Sequence, residues 1–480
     1  MERLKISENR HYFIKESGEP FFWLADTAWT LPQRMKWDDV DYYMEKRRAQ
    51  GFTALQIVAL DPEQDVQMRS PAGDRALIKD DLLTPNENYF RYLDYVLDRA
   101  ESYGFYVLLL PVWGQLVTGD NWGNKTFNKL VDVSNAYAFG EWIGHRYQNR
   151  KNILWCLGGD RHPIHKGVDY RPVWRKMAEG LIKGHPDVVP LITYHTCYDM
   201  HTGRCSTSDD FTKDDTWISF TMIQSGHSES AENFKVIAEE YNRIPIRPVF
   251  DGEPAYEKMP TCWPPKENAF HEAGIVRRRA YWAIFSGTFG HTYGHSSVWC
   301  MISEKQRSSF RPFSWYEALE QEGAKQMRYL RDLADSRPWQ NLIPCQQLIG
   351  HVCSAQCYSE HRQACITKEK NLGFVYFPHG GKEQIDLALF DSDKLQFWWW
   401  NPRDGKCFTQ DLKETSQPYL TLDRAKDIVS VQTPESGEDI DWVLVIEDVA
   451  AVFKTTVPGV AIWDDCTAGK SAQDEKVFDW

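Results

Sequence analysis

The chain has 480 residues, 42% hydrophobic and 14% aromatic, and a formal net charge of −13. Two to four domains fit that length, and the acidic balance, with no Lys/Arg block, argues against a nucleic-acid partner. No run approaches the ~18 apolar residues of a membrane span, and the opening MERLKISENRHYFIK lacks the apolar stretch of an export signal, so no membrane contact and a cytoplasmic location are expected.

The 11 cysteines are odd in number, and Cys156 and Cys300 sit inside apolar runs, which fits free thiols in a reducing compartment. Cys345, Cys353, Cys357 and Cys365 cluster, but their spacing matches no strong zinc pattern, and neither metal nor cofactor is expected. Most of the 20 tryptophans belong in a core; the remainder can form the flat walls on which sugar rings stack.

In chain order, strand-like runs occur at FFWLAD (21–26), FTALQIVAL (52–60), FYVLLLPVW (105–113), NILWCLGG (152–159), VVPLITYH (188–195), WISFTMIQ (217–224), RPVFDGE (247–253) and GTFGHTYG (287–294). Most are continuously apolar instead of alternating, the pattern of parallel strands buried on both faces. Helical patterns fall between them. One is capped by Asp38 and ends before Gly51; NENYFRYLDYVLDRAESYG carries Phe90, Leu93, Leu97 and Ala100 on one stripe; SNAYAFGEWIGHRYQN, PVWRKMAEGLIKG, AENFKVIAEEYN, ENAFHEAGIVRRRAYWAIFSG and SWYEALEQEGAKQMRYLRDLAD follow. The link 196–216 reads as polar loop. Eight strands with intervening helices predict an α/β fold, a (β/α)8 barrel over residues 1–338. The runner-up, a doubly wound sheet, usually opens with a Gly-rich phosphate turn, and LADTAWTL is not one. Beyond SRPWQNLIP, short strands bounded by Gly, Pro, Asn or Asp predict a C-terminal β-sandwich over 339–480.

In such a barrel the strand ends share one face, where chemistry occurs. Asp26, Trp29, Trp113, Asp160, His195, Gln224, Asp251 or Glu253, and His291 to His295 reach it. Asp160 ends LGGD, whose glycines allow a bulge that re-aims the last side chain; the plainer reading is a loop cap or a pair with Arg161. Glu253 ends FDGEP, where Pro254 stops the strand; the plainer reading is an ion pair with Arg247 or Arg277. Asp251 would share a face with Glu253 unless a bulge at Gly252 breaks the relation. Two carboxyls across a tryptophan-lined mouth are the equipment of glycoside hydrolysis, with Asp160 and Glu253 catalytic and His195, Gln224 and His295 holding hydroxyls or orienting the carboxylates.

FFWLADTAWTL, LGGD, the FDGEP run and HTYGHSSVW together resemble the apiosidase-like glycoside hydrolases, family 140, over about residues 6–335. The resemblance implies a (β/α)8 hydrolase acting on apiose-containing side chains of plant pectin, with Asp160 and Glu253 as the catalytic pair and Asp26, Trp29 and His295 lining the sugar subsite. Without an export signal, a short imported oligosaccharide or glycoside is the expected substrate. Retention, with Glu253 as nucleophile, follows by analogy with other barrel glycosidases. Two rivals stand beside this reading. One is a metal hydrolase using His162, His165, His195, His291 and His295 with Asp160. The other is a non-catalytic sugar binder using Trp398, Trp399 and Trp400, for which an inter-domain contact is the favoured alternative. Oligomeric state is not legible in the sequence.

Overall fold

The structure, a computed structural model, describes residues 1–62, 67–119, 128–199, 201–262, 265–350, 358–423 and 427–463. The eight apolar runs form eight parallel strands: β1 Trp23–Thr27, β2 Ala54–Val58, β3 Tyr106–Leu110, β4 Ile153–Gly158, β5 Ile192–His195, β6 Thr221–Ile223, β7 Val249–Asp251 and β8 Gly290–Tyr293. They hydrogen-bond in the order β5-β4-β3-β2-β1-β8-β7-β6. Ser219 N donates to Ile192 O at 2.8 Å just ahead of β6, drawing the two edge strands together. The Thr207 hydroxyl fills the remaining seam: it donates to Tyr194 O at 2.7 Å and accepts from Met222 N at 3.1 Å.

The helices are α1 Trp37–Ala49, α2 Glu87–Ser102, α3 Ala136–Tyr147, α4 Arg171–Lys183, α5 Asn233–Tyr241, α6 Ala273–Phe285 and α7 Glu322–Ser336, with several shorter turns. Lys36, not Asp38, is the N-cap of α1; Asp38 lies in the first turn, where its charge favours the helix dipole without capping it. Among the described residues, the link 196–216 contains a short helix, Thr207–Asp210, started by a capping box between Ser206 and Asp209. At the opposite end of the barrel, Phe13 of a small N-terminal sheet packs on Phe220 and Phe289, which precede β6 and β8, and closes the bottom.

Among the described residues, the C-terminal part is a seven-stranded antiparallel sheet accompanied by the two-stranded sheet of Lys382–Asp386 and Ile428–Gln432. Its three adjacent tryptophans alternate as strand geometry requires. Trp398 and Trp400 join the barrel-side core, and Trp400 lies 6.0 Å from Tyr281 of α6, while Trp399 packs on Tyr419 and Trp442. All three are buried, so they offer no platform to a sugar. The sheet is fastened to α6 by stacking of Tyr281 on Tyr376 and Phe285 on Phe374, and by a buried Arg277–Asp441 pair at 2.9 Å. Among the described residues no helix is long and apolar enough to cross a membrane.

Candidate active site

The backbone after β4 takes left-handed φ three times running: Gly158 +87°, Gly159 +114°, Asp160 +52°. Glycine is required at the first two. A Cβ at 158 would meet His195 O at 2.3 Å, and one at 159 would meet the Trp113 ring at 2.6 Å. Aspartate tolerates the third because its short polar side chain can bond locally. The turn aims the Asp160 carboxylate toward β6, where Gln224 Nε2 donates to Oδ1 at 2.9 Å. The Gln224 carbonyl oxygen accepts from Tyr198 N at 2.6 Å, which fixes the amide's orientation. Arg161 Nη1 lies 3.6 Å from Oδ2, so the pairing foreseen for these neighbours does form, alongside the contact with Gln224.

The β7 terminus resolves the two carboxylates of FDGEP. Asp251 faces outward to the helices, accepting from Ser225 Oγ at 2.7 Å and Asn233 Nδ2 at 3.1 Å, and burial pushes its carboxyl up to about 6. Gly252 faces inward, and its carbonyl accepts from Gln56 Nε2 across the barrel at 2.8 Å. The strand ends at Asp251, so Glu253 escapes the alternation and turns into the mouth. His195 Nε2 approaches Oε2 at 2.8 Å and His227 Nε2 approaches Oε1 at 3.2 Å. Burial alone would raise this carboxyl, but hydrogen bonds from the two imidazoles outweigh it and hold Glu253 well below the usual carboxylate range.

His195 joins the two halves. Burial would lower its pKa, yet the bond to Glu253 and the charges of Glu253 and Asp160 leave it raised. Its Nδ1 has two neighbours with opposite demands: Thr196 O at 2.6 Å needs a donor, while Asp160 N at 3.2 Å offers one. The closer contact, together with Nε2 donating to a carboxylate, favours the doubly protonated ring. The His195 ring therefore lies between the backbone of Asp160 and the side chain of Glu253. Trp29 and Trp113 lie 5.4 Å apart and each 5.6 Å from the His195 ring, forming one wall.

Six of the eight residues singled out from the sequence thus gather here: Asp160, Glu253, Trp29, Trp113, His195 and Gln224. Two do not. Asp26 is fully buried on the outer face of β1, where Arg47 Nε and Tyr43 Oη of α1 each reach Oδ2 at 2.6 Å. Its neighbour Thr27 is the inward residue, bonded to Gln56 at 3.1 Å. Strand alternation places Asp26 away from the mouth. His295 is fully buried, accepts from Ser297 N at 3.0 Å on Nδ1 and packs edge-on to Phe313, and neither contact involves Asp160 or Glu253. The histidines of the metal reading are likewise dispersed. His162 contacts Thr196, His195 is committed to Glu253, and His291, on the outer face of β8, has no partner on either ring nitrogen. Among the described residues no group of three ligating side chains could hold a metal ion.

The sequence reading missed His227 and Tyr256, whose rings lie 4.5 Å apart beside Glu253. His227 follows Gln224 by three residues in IQSGH, and Gly226 N donates to Glu253 O at 3.0 Å, so a short link beyond a barrel strand was the available signal. Residues 63–66 and 120–127, in the links after β2 and β3, lie outside the described residues, as do Cys353 and Cys357 of the cysteine cluster.

Known proteins share this fold. The family described as "Apiosidase-like, catalytic domain" matches residues 7–341, and the one described as "Putative collagen-binding domain of a collagenase" matches residues 343–447. A solved structure titled "Glycoside hydrolase" is 26% identical over 94% of this chain and 98% of its own, with a TM-score of 0.80. A glycoside hydrolase family 5 structure from Bacteroides vulgatus ATCC 8482 is 27% identical over 96% of both chains, with a TM-score of 0.81. No curated protein matches the chain. A barrel with two carboxylates at its catalytic end, matched over most of its length by this family, settles the class: the chain belongs to the apiosidase-like family and is a glycoside hydrolase.

Proposed function

We propose that the enzyme hydrolyses apiose-containing or related plant oligosaccharides and glycosides with retention of anomeric configuration, Glu253 acting as nucleophile and Asp160 as acid and base. The observation that carries this is the contrast between the two carboxylates. Glu253 is buried and clamped by two imidazoles, which keeps it ionised and fixed in direction. The Asp160 side chain is 20% exposed, so it can exchange protons with water.

In the first step Asp160 gives its proton to the glycosidic oxygen while a Glu253 oxygen attacks the anomeric carbon. The bond from that carbon to the leaving oxygen breaks, its electron pair stays on the oxygen, and a glycosyl ester remains on Glu253. In the second step Asp160, now a carboxylate, takes a proton from water, the water oxygen attacks the same carbon, and Glu253 leaves as carboxylate. His195 and His227 stabilise the returning negative charge, and the Trp29–Trp113 wall supports the sugar face.

The test is a panel of aryl glycosides that includes an apioside, with the first-formed anomer followed by NMR. Apioside turnover with retention, lost in Asp160→Ala and Glu253→Ala, is the expected result. Turnover of other glycosides without the apioside would overturn the substrate; an inverted first product would overturn the nucleophile.

A further inference from the structure

The loop that follows β6 touches both carboxylates of the site, Asp160 through Gln224 and Glu253 through His227. The two contacts are secured differently. Gln224 is fixed where it stands: its N donates to Cys205 O at 2.8 Å, and its side-chain oxygen accepts from Tyr198 N. The His227 Nδ1 is buried without a hydrogen-bond partner. Apart from Glu253 itself and the Tyr256 ring 4.5 Å away, the direction of this imidazole is therefore set by its backbone.

Other segments hold that backbone at every residue from 225 to 229. Ser225 gives its N–H at 3.3 Å and its hydroxyl at 2.7 Å to Asp251 of β7. Gly226, at a φ of +78°, donates to Glu253 O at 3.0 Å. His227 O lies 2.8 Å from His271 Nε2, and a ring nitrogen facing a carbonyl must be the donor. Ser228 O and Glu229 O accept from Arg279 Nη2 of α6 at 3.1 Å and 2.7 Å. Asp251 stands out among these holders. It is fully buried, and its three hydrogen bonds come from neutral donors: Ser225 N, Ser225 Oγ and Asn233 Nδ2 of α5. Burial pushes its carboxyl up, and these bonds and the Arg279 charge only partly offset that. A carboxylate here is costlier to bury than an apolar side chain of similar size, so stability alone does not account for it. Asn233 also donates to Arg279 O at 3.0 Å, which ties Asp251 to the helix that holds the far end of the loop.

We propose that Asp251 is a positioning residue of the reaction: through Ser225, and together with His271 and Arg279, it sets the backbone of residues 225–229 so that the His227 imidazole meets Glu253. Asp251 and Glu253 leave the same strand end in opposite directions, one holding the loop from behind and the other receiving its histidine. The proposal rests on the reading of Glu253 as the reacting carboxylate, and not on which sugar is cleaved.

The experiment is a double-mutant cycle in the full chain, read on whichever aryl glycoside the parent hydrolyses. Asp251→Ala should lower kcat/KM about tenfold or more, mainly through kcat, given that misplacing a group by about 1 Å can cost about a hundredfold. In a His227→Ala background the same substitution should cost no more than about twofold, because the group it positions is gone. The acid limb of kcat/KM should move to higher pH in Asp251→Ala, as the hold of His227 on Glu253 loosens, and stay in place when His227 is already alanine. Hydrogen exchange of the peptide bearing residues 224–232 supplies a readout independent of turnover, and it should quicken in Asp251→Ala. Ser225→Ala, which removes only the hydroxyl bond, should give the same pattern at smaller size and keeps the test decisive if Asp251→Ala fails to fold. An equal fractional loss in both backgrounds, unchanged kcat/KM in either folded variant, or unchanged exchange of the loop would overturn the proposal. A glycosyl adduct on a residue other than Glu253 would sink the nucleophile assignment, and the coupling of Asp251 to His227 is measured separately from it.

Discussion

Replacing Asp26 by leucine separates two roles for one residue. The family resemblance puts Asp26 in the sugar subsite; the structure puts it behind the strand, 2.6 Å from both Arg47 Nε and Tyr43 Oη, with all three side chains buried. Burial pushes the Asp26 carboxyl up, and Arg47 and Tyr43 pull it back. Removing the carboxylate strands the Arg47 charge among the rings of Tyr43, Phe52 and Tyr293. Breaking one side of a buried pair costs about 3–5 kcal/mol. At about 2–4 °C per kcal/mol for domains of 150–250 residues, the unfolding temperature should drop by roughly 6–20 °C, toward the low end for a longer barrel. The assay pairs thermal unfolding with Michaelis kinetics at a temperature where the variant is folded; kcat and KM should match the parent. Adding Arg47→Met should recover most of the loss, because the orphaned charge goes with it. An unshifted unfolding temperature with KM raised about tenfold, the cost of a lost charged hydrogen bond to sugar, would refute the placement.

Gly159→Ala should lower kcat with the fold kept, since the new methyl meets the Trp113 ring at 2.6 Å at a φ of +114° and must displace Asp160; unchanged kcat would contradict the role of the left-handed turn. His227→Ala removes one of the two imidazoles that depress Glu253, so the acid limb of kcat/KM should move to higher pH, and an unmoved limb would count against the clamp. Burial lowers His291 and His271 to about 3. Each is neutral when folded and takes up a proton when unfolded below its ordinary value of 6.5, so each supports stability above pH 6.5 that is lost as pH falls toward 3. His291→Leu should therefore flatten the unfolding temperature between pH 6.5 and pH 3 relative to the parent, and equal slopes would exclude that contribution.

The barrel was legible because strands buried on both faces must be apolar throughout, and most of the eight runs announced themselves in that way. LGGD was legible because two glycines before an acid signal a backbone that other residues cannot follow. Two kinds of feature were not. The first is orientation within a fully buried strand. FFWLAD has no polar alternation to mark its faces, so only the partners of Asp26 and Thr27 reveal which one enters the barrel. The second is contact made by loops. His227 reaches Glu253 from beyond β6 and Thr207 closes the barrel seam from a four-residue helix, and neither lies in a periodic segment. How the C-terminal strands divide between the two sheets was not legible for a related reason: short strands at even spacing do not say which of them share a sheet.

The central claim is that Glu253 is the atom-bonding carboxylate and Asp160 its proton partner across one glycosidic bond. The direct measurement is mass spectrometry of the peptide bearing FDGEP after reaction with a 2-deoxy-2-fluoro glycoside of whichever sugar the enzyme turns over. The account requires one glycosyl adduct, on Glu253, formed more slowly when Asp160 is replaced by alanine unless the leaving group is already activated. An adduct on Asp160 or on another residue, or turnover that never passes through a covalent species, would contradict it.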